Sequence, residues 1–152
     1  MELITVTHKS GLAYDIRVGR QHITCDMAPE DGGSGAGLTP VELFAGSLGA
    51  CIAMAVQGYC EACNHAHGDV GVSIALELLP KPRRVGAVVV DVELPGGVPE
   101  DHRDAIRRVV EQCVLHETLR HPPEVDVEIL MDRDLRQEPV LVGAGAPELR
   151  RD

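Results

Sequence analysis

A single α+β domain with the order β-β-β-α-β-β-α-β is the fold the sequence predicts, and three observations predict it. Alternating apolar residues fill three short runs before Ala28, an uncharged apolar stretch follows a helix start at Thr39-Pro40, and two β-branched runs flank Pro80-Lys81-Pro82-Arg83. A chain of 152 residues is one domain by the usual prior and buries roughly two-thirds of its unfolded surface, enough for a real core. We read residues 1–131 as that domain and 132–152 as a C-terminal tail.

Glu2 to Thr7, Leu12 to Val18 and Gln21 to Met27 alternate apolar and polar residues, with turns at Lys9-Ser10-Gly11 and Gly19-Arg20, the pattern of a three-stranded meander. Ala28 to Leu38 (APEDGGSGAGL) is acidic, Gly-rich and without period, which predicts a mobile loop. No Gly-Lys-Ser/Thr follows it, so it lacks the signature of a phosphate cradle. Thr39 as N-cap, Pro40 at N1 and Glu42 at N3 then make a capping box. The helix they open runs to about Cys63 and carries no charge from Leu43 to Val56, which predicts a central helix buried on all sides; those 14 residues are too few to span a bilayer. Val70 to Leu79 and Arg84 to Leu94 read as a hairpin. Pro99-Glu100-Asp101 opens a second helix with Ile106, Val109, Val110 and Cys113 on one inward stripe, and Pro122-Pro123 stops it. Val125, Val127 and Ile129 alternate in a last strand. The polar tail from Asp132 is expected to lie loose or draped over a partner.

The formal charge of −10 and the scattering of arginines in pairs (Arg83-Arg84, Arg107-Arg108, Arg150-Arg151) argue against nucleic acid and membrane surfaces as partners. Aromatic residues make up 2% of the chain, so the core must be aliphatic and base-stacking platforms are missing. An uncharged central helix with so few aromatics suggests that a second copy covers part of the apolar surface, so a homodimer is expected. Met1 to Lys9 shows no basic segment followed by an apolar one, and the five cysteines (25, 51, 60, 63, 113) lack the spacing of a secreted disulfide scaffold. A reducing, cytoplasmic setting is the expectation.

Candidate chemistry therefore rests on the thiols. Cys51, in the middle of the first helix, is either a packed small hydrophobe or a reactive thiol. It lies roughly 18 Å from that helix's N-terminus, so the helix's own dipole cannot activate it and a group from another element must. His116, three residues after Cys113, shares its side of the second helix and is either a solvated residue or a modulator of that thiol. Cys60, Cys63, His65 and His67 look like a C-x-x-C with two histidines. All four crowd into eight residues with no second cluster in the sequence, so we expect no metal there, and no cofactor elsewhere. A dithiol at the end of a helix is likewise poorly placed to hold a thiolate.

Gly37-Leu38-Thr39-Pro40-Val41-Glu42-Leu43, Gly46-Ser47-Leu48-Gly49-Ala50-Cys51-Ile52-Ala53-Met54 and Cys113-Val114-Leu115-His116-Glu117-Thr118-Leu119 together resemble the OsmC/Ohr family, over about residues 1 to 131 and in its less characterised branch. The resemblance implies an intertwined homodimer with two central helices packed against sheets and an active site at the subunit interface. It implies a peroxiredoxin-like thiol peroxidase serving oxidative-stress defence. Cys51 attacks an organic hydroperoxide and becomes a sulfenic acid, Cys113 condenses with it to a disulfide, and a dithiol, often lipoyl-linked, reopens it. The family's peroxidases have a glutamate where this chain has Val41, and an arginine paired with it. Glu42 sits about 180° round the helix from Cys51, leaving Arg17 and Arg20 as stand-ins and His116 as a supporting group. The alternative is a non-peroxidase relative, a small-molecule binding or redox-sensing dimer.

Overall fold

The computed structural model describes residues 3–65 and 68–131. The chain forms two units, one ending at Pro122 and one beginning at Pro123.

In the first unit β1 (Ile4–Ser10), β2 (Ala13–Val18) and β3 (Gln21–Cys25) form an antiparallel sheet in that order, with Ile16 opposite Val6 on one side and Ile23 on the other. Gly11 and Gly19 turn the chain between strands at φ +56° and +55°, a region side chains with a Cβ rarely enter.

The Gly-rich segment that follows is organised round a carboxylate, contrary to the free loop its composition suggested. Asp26, 1% exposed, accepts from the amides of Met27 (2.8 Å), Ser34 (2.9 Å) and Ala36 (3.1 Å) and from the Ser34 hydroxyl (2.6 Å). The Ser34 hydroxyl first, then the Ala36 amide, hold its pKa down at about 2. Glycines let amides converge on one acceptor, and the residue that fixes them stands just ahead of the segment.

α1 (Pro40–Ala62) begins as its sequence dictates. Glu42 N–H donates to Thr39 Oγ1 at 3.3 Å and Thr39 N–H to the Glu42 carboxylate at 2.7 Å. Leu48, Ile52, Val56 and Cys60, four residues apart, form its buried stripe. Burial on all sides is not observed: Met54 is 74% exposed and Phe44 lies at the surface. The helix is also longer than its uncharged run, and by length and composition it is long and apolar enough to cross a membrane. Its stripe is nevertheless enclosed by protein.

β4 (Gly71–Pro80) and β5 (Arg83–Glu93) are a separate two-stranded sheet. Val72 and Ile74 of β4 and Val88, Val90 and Val92 of β5 turn towards α1. The approach is close at Gly49, where a Cβ would stand 3.2 Å from Ile74 Cδ1. A bulge between Glu77 and Leu78 reverses the alternation and leaves Leu78 exposed.

The second helix is broken, where one continuous helix was expected. A 3-10 turn at Glu100–His102 leads into α2 (Arg103–Glu111), and α3 (Val114–Arg120) restarts after Gln112 with extended Cys113 as its N-cap, at φ −58° and ψ 134°. Ile106 and Cys113 complete the core begun by the α1 stripe. In the second unit the expected strand at Val125 to Ile129 is not formed: residues 123–131 carry neither helix nor strand. Alternation sets side-chain spacing, but a strand exists only when a neighbour accepts its ladder. The tail from Asp132, with His67, lies outside the described residues.

Candidate functional site

The break between α2 and α3 brings the two sequence-predicted cysteines together. Cys51, half-buried on α1, packs against the core cluster that contains buried Cys113, and each thiol shifts the other's ionisation. Cys113 stands at the N-cap of α3, so the first amides of that helix lie close to the two sulfurs. The Leu115 and Val114 amides bear on the Cys51 thiol, and those of His116 and Leu115 on the Cys113 thiol, although Cys113 makes no side-chain capping bond.

These donors split the pair. The Cys113 thiol first, then the Leu115 amide, with a smaller share from Val114, lower the Cys51 pKa against the opposing effect of burial. Burial first, then the bond to Cys51, raises that of Cys113. Of the two thiols, Cys51 is thus the one pushed towards ionisation and Cys113 the one pushed away from it. The amides that lower the Cys51 pKa are those of a helix start, but the helix is α3 and not α1. Because backbone amides leave no mark in composition, only the Gln112-Cys113 interruption, visible in three dimensions, reveals them.

The supporting residues read from the sequence are spread out. Arg17, on β2, pairs with Asp15 of its own strand. Arg20 is exposed in the β2–β3 turn, and Glu42 is spent in the capping box, where the Thr39 amide and then its hydroxyl lower its pKa. His116, whose amide lowers the Cys113 pKa, lines a 350 Å³ cleft with Leu48, Ile52, Val90 and Leu119. Among the described residues, the groups that act on the Cys51 sulfur are a thiol and two amides, with no cation.

The C-x-x-C does not act as a pair. Cys60 is fully buried in the core, where burial and then the neighbouring Cys63 push its thiol pKa up. Cys63 instead caps α1 at the surface, beside His65 and His102. Tyr59 and His102 were not singled out in the sequence, since nothing in the spacing from residue 65 to residue 102 ties them together.

The sequence profile of a family described as OsmC-like protein matches residues 32–128. Among curated proteins no sequence match is found. Solved structures with the same fold include an OsmC-like protein of Mycoplasma pneumoniae (TM-score 0.70, 17% identity, covering 79% of this chain and 87% of that one). An organic hydroperoxide resistance protein OsmC of Legionella pneumophila aligns with TM-score 0.62 at 20% identity, over 79% and 89% of the two chains. The organic hydroperoxide resistance protein OhrB of Bacillus subtilis gives 0.56 at 21%, over 83% and 96%.

Proposed function

The chain belongs to the OsmC-like protein family, and we propose that it is a thiol peroxidase that reduces organic hydroperoxides with Cys51 as nucleophile and Cys113 as resolving thiol. One observation carries the reading: Cys51 packs against the core cluster that holds Cys113, where the Cys113 thiol and the amides of Leu115 and Val114 lower its pKa. The thiolate attacks the outer oxygen of ROOH, the O–O bond breaks, and the alkoxide leaves as ROH after taking a proton. Cys51 is then a sulfenic acid. The Cys113 sulfur displaces hydroxide from it, released as water, and a Cys51–Cys113 disulfide forms. An external dithiol returns both thiols and is itself oxidised to its disulfide. Two such related structures are named organic hydroperoxide resistance proteins, which agrees with this substrate class.

A redox-sensing role is the second reading, favoured by the lack of a cation at Cys51 among the described residues. It predicts the same disulfide with slow turnover. In either case the working unit is a homodimer. Met54 and Val114, 74% and 73% exposed, together with the open apolar trough of 520 Å³ lined by Val6, Tyr14, Ile16 and Leu43, are the surfaces a second copy would cover. Light scattering at micromolar concentration tests this, and a stable monomer removes it.

One equivalent of cumene hydroperoxide added to the reduced protein should consume two thiols and give a 51–113 link by peptide mapping. Cys51→Ser should leave Cys113 reduced, and Cys113→Ser should leave a sulfenic acid at Cys51 that dimedone traps. Oxidation of Cys60 or Cys63 with Cys51 spared would overturn the assignment. Turnover with dithiols separates the two readings.

A further inference from the structure

The end of α1 holds a second group of chemical side chains that the peroxide reading does not use. Asn64, at φ +56°, turns the chain at the helix end: its amide donates to Glu61 O at 3.0 Å and that of His65 to Cys60 O at 2.8 Å. This pair of bonds is the usual left-handed helix stop, and asparagine tolerates it almost as glycine does. The turn folds His65 back beside Cys63. From a separate element, the 3-10 turn before α2, His102 meets them, and its Nε2 lies 3.2 Å from His65 Nε2 with the rings nearly perpendicular. The Cys63 sulfur and the two ring nitrogens all lie within 4.8 Å of one another, and all three residues are half-buried.

We infer that Cys63, His65 and His102 form a binding site for a divalent metal ion of zinc type. Tetrahedral zinc with Zn–N near 2.0 Å sets its two nitrogens about 3.3 Å apart, which is the observed separation of the imidazoles. One thiolate and two imidazoles are the donor set zinc prefers over the hard cations magnesium and calcium. The thiol gives its proton to solvent on coordination, and the fourth position is left to water. Tyr59 supplies the outer support: its hydroxyl lies 2.6 Å from His102 Nδ1. With Nδ1–H of His102 donating to the Tyr59 oxygen, Nε2 presents its lone pair to the ion, the arrangement that orients metal-bound histidines elsewhere. The sequence argument against a metal was that its ligands crowd into eight residues; His102, thirty-seven residues beyond His65, supplies what that argument lacked.

The test uses the full chain carrying Cys51→Ser and Cys113→Ser, so that the other thiol pair cannot contribute, stripped with chelator and kept reduced. Cobalt(II) alone is titrated and then displaced by zinc. One equivalent should give the intense visible bands of tetrahedral cobalt with a thiolate charge-transfer band in the near ultraviolet. Cys63→Ser should abolish the charge-transfer band. His102→Ala and His65→Ala should each weaken zinc binding by at least about tenfold, and Tyr59→Phe, which keeps all three ligands, by about tenfold. Circular dichroism establishes that each variant is folded. Weak octahedral cobalt bands, binding in other than a 1:1 ratio, or zinc affinity unchanged in folded His102→Ala overturns the site.

Discussion

α1 carries a sulfur cluster in its middle and another at its end, and they differ in what surrounds the sulfur. At Cys51 the neighbours are donors, a thiol and the amides of Val114 and Leu115, and donors stabilise an anion. At Cys63 the neighbours are imidazole nitrogens whose lone pairs can face inward, and lone pairs attract a cation. Cys60, between them, has neither, and burial keeps it a thiol. The three cysteines of α1 and its C-cap therefore stand in three different surroundings.

The largest effect that tests this contrast is a reciprocal one. Cys51→Ser should lower hydroperoxide consumption by at least about 10²-fold, since the nucleophile is gone, and leave zinc affinity within about twofold. Cys63→Ser should do the reverse, leaving peroxide turnover intact. Loss of both properties in either variant would merge the two clusters into one system.

A smaller effect isolates the amides. Val114 is the first residue of α3 and its predecessor Cys113 is extended, so proline fits there by both rules. Val114→Pro removes one donor to Cys51 without removing a side chain that the mechanism uses. Peroxide reactivity at neutral pH should fall by up to about tenfold, the worth of one hydrogen bond, and the thiolate titration should move to higher pH. An unmoved titration would mean that this amide does not hold the sulfur.

The pH profile should carry the same signature in the unaltered protein. Because the folded-state pKa of Cys51 is lowered, the thiolate is present above it, and the rate with hydroperoxide should rise with pH and level off before an ordinary thiol would titrate. A rise centred at the ordinary thiol value, followed by stopped-flow, would contradict the donor arrangement.

Asp26 offers the mildest comparison, a donor cage already filled by the chain's own carboxylate. Its folded pKa of about 2 lies below the unfolded 3.8, so the stability it contributes is present above about pH 4 and is lost as pH falls towards 2. Asp26→Asn should therefore lower the melting temperature at neutral pH and flatten the acid limb between pH 4 and 2. An acid limb as steep as before would assign it to other carboxylates.

Much of the fold was legible in the chain. Period-two alternation marks β1 to β5 because a strand's faces alternate whatever it packs against, and the Thr39/Glu42 capping box fixes the start of α1 because all its atoms are local. Cys51 and Cys113 could be named from motifs. Their relation could not: the break at Gln112-Cys113, which turns α3's amides onto Cys51, is a backbone event without a compositional signal.

The sequence by itself determined whatever depends on neighbours within a few residues: the turns, the start of α1 and an aliphatic core. Tertiary structure alone decided the rest. It bound the Gly-rich segment to Asp26, carried His102 to Cys63 and His65, set Arg17 on Asp15, and left Val125 to Ile129 without a ladder. The reason is the range of the forces. Alternation and capping act along the chain, whereas a pKa or a ligand set depends on distances of a few ångströms between residues far apart in sequence.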